Sequence, residues 1–378
     1  MFSKRVNELS HSIPFFISEQ AAKLKAQGRD ISLFGAGETG FETPQFIKDA
    51  AKRAIDEGHT KYTAVAGILP LRRAICEMLK DETGVTYTPE QIVVSSGAKQ
   101  SLWNIIYSLV NEGDEVIIIR PYWLTYAELV KLAGGIPVEV NDVSEIPAAI
   151  TKKTKLVMIC SPNNPDGRVL TEGELRTLAR GIAKSGVYLM SDDMYAKLIF
   201  DGSKHFSIAG IYEKTIIVGG VSKSLAMTGW RIGWTACDAE LTNAMTRFQS
   251  HTTSAPSSIS QYAALEAIEN KIEREKFITE INQSFGERRK YILERLKKIP
   301  NITFTEPQGA FYVLIDVRKF GTAFEIAEEL LKKADVAVVP CETFGAPGHL
   351  RLSYTLGMEE LQKGLDRLEK FFTQKETS

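Results

Sequence analysis

The amino-acid sequence predicts an α/β protein: a three-layer α-β-α domain built on a mainly parallel sheet, with a smaller α+β domain beside it. Two patterns carry that reading. Between about residues 90 and 235, short β-branched apolar runs alternate with helical segments, as strands buried on both faces by crossover helices do. Beyond residue 290 come four further strand-like runs and two helices, which suits a separate α+β unit. With 378 residues, 44% of them apolar, the chain is long enough for one large and one smaller domain. The expected division gives residues 45–290 to the large domain and residues 1–44 with 291–378 to the small one.

Composition excludes several classes. A charged fraction of 25%, with no apolar run approaching about 18 residues, describes a soluble globular chain rather than a membrane span. The formal net charge of -1, with no basic block, argues against nucleic acid as a partner. The N-terminal MFSKRVNELSHSIPFFISEQ is polar apart from IPFFI and lacks the apolar core of a signal peptide. Cys76, Cys160, Cys237 and Cys341 are widely spaced and form no metal-type pair; they read as reduced thiols of a cytoplasmic protein.

Taken in order, residues 4–27 are helical in parts, broken at Pro14, and 30–34 form a short strand. GAGETG at 35–40 matches by letter the dinucleotide fingerprint G-x-G-x-x-G. That fingerprint binds a pyrophosphate only when its glycines open the helix. Here Thr43 and Pro44 cap and start a helix over 44–56, several residues too late. The following GHTKYTAVAG, which contains Tyr62, is a loop with no second strand ending in an acid, so no nicotinamide cofactor is expected. A helix follows over 70–80.

Residues 91–95 form a strand, and Ser96-Gly97-Ala98-Lys99 leads into a helix to about residue 110. Strand, glycine turn and helix N-terminus make an anion site, because free N–H groups face outward with the positive end of the dipole behind them. The strand over 115–119 runs into Arg120-Pro121-Tyr122-Trp123, which puts Trp123 at the ligand end of a parallel strand. The strand over 155–160 ends in SPNNPDG, a turn made rigid by its prolines and asparagines. After a helix over 171–184 and a strand over 187–190 comes Ser191-Asp192-Asp193-Met194-Tyr195. An acid buried at a strand end calls for a cationic partner.

Ile216-Ile217-Val218 reads as a buried strand broken at Gly219-Gly220, and Lys223 follows. Arg231 sits within a second apolar stretch (Trp230, Ile232, Trp234) that reads as another strand. Most of the 46 Lys and Arg residues are solvated. A desolvated lysine, by contrast, has a depressed pKa and becomes a nucleophilic amine able to form a Schiff base. Helices over 256–269 and 272–298 lead to strands over 302–305, 310–315, 336–339 and 349–353 and helices over 323–332 and 358–372. Arg351 alternates with Leu350 and Leu352 in one of those strands; it is either a surface charge or a guanidinium fork for a carboxylate.

SKSLAMTGWRIGW, from Ser222 to Trp234, resembles the cofactor-lysine motif of the fold-type I pyridoxal-phosphate-dependent aminotransferases of class I/II. The likeness is greatest to the bacterial branch that contains aspartate aminotransferases, and matching motifs run from Val6 to Arg351. The resemblance implies that Lys223 holds pyridoxal 5'-phosphate as a Schiff base and then carries the substrate's Cα proton. It implies that Asp192 keeps the pyridine nitrogen protonated, that Tyr195 and Asn164 bond the ring oxygen, and that Trp123 packs on the ring. Gly97, Ala98, Lys99 and Arg231 would hold the phosphate, with Ser222 assisting and Tyr62 arriving from the other subunit of a homodimer. Arg351, Asn164 and the Gly37 N–H would hold the substrate carboxylate, with Trp123 a further donor. Thr39-Gly40 stands where the family more often has Pro-Asp, and Asp166 where threonine is usual.

The implied reaction moves an amino group between an L-amino acid, aspartate first, and a 2-oxo acid such as 2-oxoglutarate. Rivals are another enzyme of the same fold, such as an aromatic aminotransferase, a C–S lyase or a cyclopropane-forming synthase; a nicotinamide oxidoreductase; and a regulator with an appended DNA-binding module, of which the sequence shows no sign. A dicarboxylic substrate needs a site for its distal carboxylate. Ile13, Pro14 and Tyr107, at the positions concerned, are less polar than the family's groups, leaving Ser12, Trp123 and Lys61. The expectation is therefore a broadened specificity, with aromatic or apolar amino acids accepted beside aspartate and glutamate.

Overall fold

The computed structural model describes residues 4–7, 9 and 13–376; Ser12 lies outside them. In chain order the strands are β1 (Ser32–Leu33), β2 (Ile92–Ser95), β3 (Glu115–Ile119), β4 (Ile136–Val140), β5 (Thr154–Cys160), β6 (Tyr188–Asp192), β7 (Thr215–Gly220), β8 (Gly233–Ala236), β9 (Thr303–Phe304), β10 (Tyr312–Asp316), β11 (Val336–Ala337), β12 (Val339–Pro340) and β13 (His349–Ser353).

Strands β2 to β8 form one seven-stranded sheet in the order β2-β8-β7-β6-β5-β3-β4, parallel at every pairing except the two that β8 makes. The period of two along a strand deals successive side chains to opposite faces. Val93, Val116, Leu156, Met190 and Val218 go to one face, under helices Ala98–Leu109, Thr125–Leu132 and Ala239–Ser250. Val94, Ile117, Val157, Leu189 and Ile217 go to the other, under helices Leu69–Thr83, Glu172–Ile182 and Ser258–Glu269. Both faces being covered, the strands carry apolar runs without alternation, and the three layers are those the sequence predicts. Because β2, β3, β5, β6 and β7 run the same way, the chain leaves all five at one edge of the sheet. That edge is where open α/β sheets bind ligands.

A second, antiparallel sheet has the order β12-β13-β10-β9, and β1 pairs in parallel with β11. Ser32 and Leu33 thereby join the C-terminal elements. Phe34, Phe285, Tyr312, Leu350 and Leu365 share one apolar cluster there. Capping boxes fix two helix starts: Thr171 with Glu174, and Thr322 with Glu325.

Several expectations are corrected. Gly219 and Gly220 do not break β7; they pair with Trp234 and Gly233 of β8. They are glycines because the strands carry bulky neighbours: a Cβ at Gly219 would lie 2.6 Å from Trp234 Nε1. Arg231 is not within a strand; it takes the left-handed conformation, φ 58°, between a 3-10 turn (Thr228–Trp230) and β8. The run at 336–339 is divided, β11 joining β1 and β12 joining β13. Helix Thr125–Leu132, β4 and helix Ala239–Ser250 were not anticipated. β4 is an edge strand with Pro137 inside it, which mutes its strand signal.

Candidate active site

At the shared strand edge, Asp192 is the last residue of β6 and is buried. Its carboxylate accepts from the Tyr126 hydroxyl (2.6 Å) and from the Met194 N–H (3.2 Å), both neutral donors. Burial is the largest influence on it and raises its pKa to about 6. Lys223, three residues beyond β7, donates from Nζ to the Gly37 carbonyl at 2.5 Å. Burial, helped by repulsion from Arg351 and Arg231, brings its pKa down to about 8.

Arg351 reaches the same place from β13 and is buried, not turned to a polar surface. Nη1 donates to Asn164 Oδ1 at 2.9 Å and Nη2 to the Gly35 carbonyl at 3.2 Å. The guanidinium lies 4.3 Å over the Tyr312 ring and 5.3 Å over Phe344, and its Nε is buried with no partner among the described residues. Tyr195 is also buried and shares a 3.1 Å hydrogen bond with the Tyr312 hydroxyl. Burial, more than that contact, pushes its phenol well above the usual range.

The anion turn assembles beside them. Gly97 has φ 82°, and a Cβ there would sit 2.5 Å from Arg231 Nη2. Glycine is thus required for the arginine to lie against the turn. The Gly97 N–H, however, is turned to the Ser95 carbonyl at 2.7 Å. Ala98 and Lys99 instead stand in the first helical turn, where N–H groups have no intrahelical acceptor. A Cβ at Gly233 would lie 2.4 Å from the Ala98 nitrogen, so β8 can come this close only as glycine. Arg231 donates to the Thr228 and Ser96 carbonyls. Lys99 Nζ lies 4.9 Å over the Trp123 ring, and Trp123 packs edge-on to Tyr126. Burial lowers the Lys99 pKa, with Arg231 adding to the effect. Ser222 is buried on the turn after β7.

Tyr62 is not packed into this cradle: it stands 98% exposed. Sequence reasoning missed Tyr126, Tyr312 and Glu38; Glu38 accepts from the Thr228 hydroxyl and attracts the Lys223 ammonium. The spacing of Tyr126, three residues after Trp123, was an available signal once a helix was recognised there. Of the glycines of GAGETG, packing requires Gly40, where a Cβ would lie 2.5 Å from the Thr355 carbonyl; a Cβ at Gly35 or Gly37 would make only ordinary contacts, 3.5 Å from Val339 and 3.7 Å from Tyr312. A cleft of about 600 Å³ lies elsewhere, lined by Glu329, Lys333, Arg367 and Lys375. Lys333 and Lys375 there are paired with Glu329, and it is the convergence of perturbed groups that marks the strand edge as the site.

A parallel sheet with a depressed lysine, a buried acid and a buried arginine at its strand ends defines a class, and residues 29–368 match the family described as aminotransferase class I and II. The chain belongs to that family and is an aminotransferase. It is 42% identical over 390 residues to an aspartate aminotransferase of Bacillus sp. (strain YM-2), covering 98% of this chain and 99% of that one. It is 39% identical over 378 residues to the aspartate/prephenate aminotransferase of Thermus thermophilus, covering 97% and 98%. Among solved structures, the Thermus thermophilus aspartate aminotransferase with maleate superposes with a TM-score of 0.95 at 39% identity, over 98% of this chain and 99% of that one.

The Asp192 environment has a consequence for stability. Its folded pKa, about 6, lies above the ordinary 3.8, so in the pH window between those values the folded state binds a proton that the unfolded state has released. The penalty grows as pH rises through the window and is constant above it. In protein stripped of small molecules, Asp192→Asn is expected to abolish the wild-type decline in urea midpoint between about pH 4 and 6. It should also raise stability at neutral pH by up to about 3 kcal/mol, the equivalent of a shift of about two units. Identical declines in both proteins would show that Asp192 is not the group responsible.

Proposed function

We propose that this chain binds pyridoxal 5'-phosphate and moves an amino group from L-aspartate to 2-oxoglutarate, acting as a cytoplasmic homodimer with shared sites. The observation that carries the reading is the meeting at one edge of Asp192 and Arg351, both buried, with the half-buried Lys223, whose amine is brought down to about 8. Similarity to enzymes named aspartate aminotransferase supports the donor. Maleate, the four-carbon dicarboxylate named with the Thermus thermophilus enzyme, is consistent with a dicarboxylic substrate.

The residues fit the cofactor. Asp192 is a buried carboxylate with neutral donors, which a protonated ring nitrogen would complement. Arg231 and the helix start at Ala98 and Lys99 present positive charge and N–H groups suited to a phosphate. Bound there, the cofactor supplies a carbonyl carbon that condenses with amines and a ring that draws electrons from the substrate's Cα. Lys223 would hold that carbon until the substrate amine replaces it. Its amine, brought down to about 8 by burial, would then be the base that takes the Cα proton. Asp192 would keep the ring nitrogen protonated and Trp123 would pack on the ring. Asn164 and Tyr195 would bond the ring oxygen, Tyr195 with Tyr312 as a second partner.

Ser222 assists Arg231 at the phosphate, and Gly97 contributes the shape of the cup rather than an N–H. Arg351 and Asn164 grip the α-carboxylate, the guanidinium through its planar fork. Gly37 closes the same end, its carbonyl on Lys223 and its N–H for the carboxylate. Tyr62, exposed in one protomer, serves the phosphate of the other. The domain division at residues 45–290 would let the Arg351 elements and the Lys223 sheet meet across the substrate.

Lys223→Ala is expected to leave the fold and phosphate anchoring intact while removing both the covalent hold and the proton carrier. Its bound cofactor should lose the lysine-linked absorbance band, and turnover should fall by several orders of magnitude. Near-normal turnover would refute the assignment of Lys223.

Assembly is tested by mixing wild type with a variant that carries both Tyr62→Phe and Lys223→Ala. In mixed dimers the one intact Lys223 site faces the altered Tyr62, and it should bind cofactor more weakly than wild type. Unchanged affinity in those hybrids would rule out a role across the interface.

Specificity is expected to follow from the residues that the resemblance aligns with the distal-carboxylate positions, Ile13, Pro14 and Tyr107, none of which carries a charge. Tyr107 is half exposed and stacks on Phe248 rather than offering a charge. With 2-oxoglutarate as acceptor, kcat/KM for aspartate is expected to exceed that for phenylalanine by less than about a thousandfold, roughly 4 kcal/mol of discrimination. A larger ratio would reveal a dedicated site for the second carboxylate.

A further inference from the structure

Against the glycine-bearing end of β7 lies a cavity of about 80 Å³, lined by none of the cradle residues. Its wall is largely apolar, with Met78, Leu79, Ile217 and Ile278 among its residues. Trp234 and His205 also line it. Trp234 is 4% exposed, and its Nε1 is buried with no hydrogen-bond partner among the described residues; the same holds for His205 Nδ1. Buried polar atoms are almost always paired, and each one left unpaired costs about 1–3 kcal/mol. Two such atoms, in side chains that line one cavity, point to an occupant.

Chemistry and size identify it. The indole N–H is a donor only. His205 faces Asp193, which also lines the cavity, through Nε2 at 3.4 Å from Oδ2, and Nδ1 is its ring nitrogen without a partner among the described residues. That nitrogen accepts when the ring is neutral and donates when the ring is protonated. The occupant must therefore accept from Trp234 and serve His205 in either role, which water does. A volume of about 80 Å³ is room for about two or three waters at roughly 30 Å³ each, and about half of the roughly 150 Å³ that admits benzene. We propose that this cavity is an internal water site, its ordered waters accepting from Trp234 Nε1–H and pairing with His205 Nδ1. The site backs the end of β6: Asp193, next to Asp192, also takes the Ser191 hydroxyl at 2.6 Å and donates its N–H to the Val218 carbonyl at 2.9 Å.

The test is a crystal structure of the cofactor-loaded enzyme at a resolution that shows ordered water, repeated under xenon pressure, for wild type and for Trp234→Phe. Wild type should show water peaks within hydrogen-bond distance of both nitrogens and no xenon. Trp234→Phe should lose the water at the ring edge and admit xenon, because a dry apolar cavity takes xenon. Xenon in the wild-type cavity, or no water at either nitrogen, would overturn the proposal. So would side chains that close the cavity and pair the two atoms directly. Retention of the same waters in Trp234→Phe would do so as well. The wild-type measurements require no variant, so a failure of Trp234→Phe to fold leaves the proposal open to refutation.

Discussion

Burial of two opposite charges at one sheet edge, close enough to feel each other yet not paired, is the condition on which the site depends. Asp192 is held by a phenol and a backbone N–H, and Lys223 by a backbone carbonyl. Each therefore moves toward its neutral form, the acid up to about 6 and the amine down to about 8. Their mutual attraction works the other way and is the smallest influence named on either group. A direct salt bridge would have reversed both directions, fixing the amine as a cation and leaving it unable to attack or to accept a proton. The neutral donors around Asp192 leave its charge to be matched by a ligand rather than by the protein.

The fold supplies this separation through its two sheets. Asp192 ends β6, and Lys223 stands three residues beyond β7, the strand that pairs in parallel with β6. Arg351 and Tyr312 come from neighbouring strands of the C-terminal sheet, β13 and β10. The loop from Gly35 to Gly40 threads between them, giving one carbonyl to Arg351 and another to Lys223. Gly40 permits that threading. Gly40, at φ 69°, lies so near the Thr355 carbonyl that a side chain could not be placed there. The same letters that mimic a dinucleotide fingerprint thus serve backbone approach between strands, a different use of the same missing Cβ.

The charged members of the site were legible because each broke a local rule. Asp192 ends an apolar strand, Lys223 follows one, and Arg351 interrupts one, and a buried charge needs a reason that a surface charge does not. Asn164 was marked by the prolines and asparagines of its turn. Tyr126 and Tyr312 carried no such mark. A tyrosine in a helix or strand reads as ordinary core, and its hydroxyl becomes informative only when Asp192 or Tyr195 is seen at the other end of it. Arg231 was read as a strand residue and takes the left-handed conformation instead. The alternation of Trp230, Ile232 and Trp234 is strand-like, and nothing in those residue types announces a left-handed arginine. β4 and the short helix Thr125–Leu132 fell below the length at which periodicity can be separated from noise.

Asp166, standing where the resemblance expects threonine, shows how a departure from pattern can keep a geometry. It is buried, and its Oδ1 accepts from Asn163 Nδ2 at 2.8 Å and from the Arg168 N–H at 3.2 Å, closing the turn on itself. The same Asn163 amide donates to the Pro121 carbonyl at 2.9 Å, tying this turn to the loop that presents Trp123. Burial raises the Asp166 pKa more than those bonds lower it, so the carboxylate is held against a desolvation cost. Gly167, at φ 71°, lets the turn close on Pro307, where Gln308 and Gly309 both donate to its carbonyl. With Asn163 and Asp166 satisfying each other, the side chain of Asn164 is not needed to hold the turn. It is left facing Arg351, where a ligand carboxylate can share both groups.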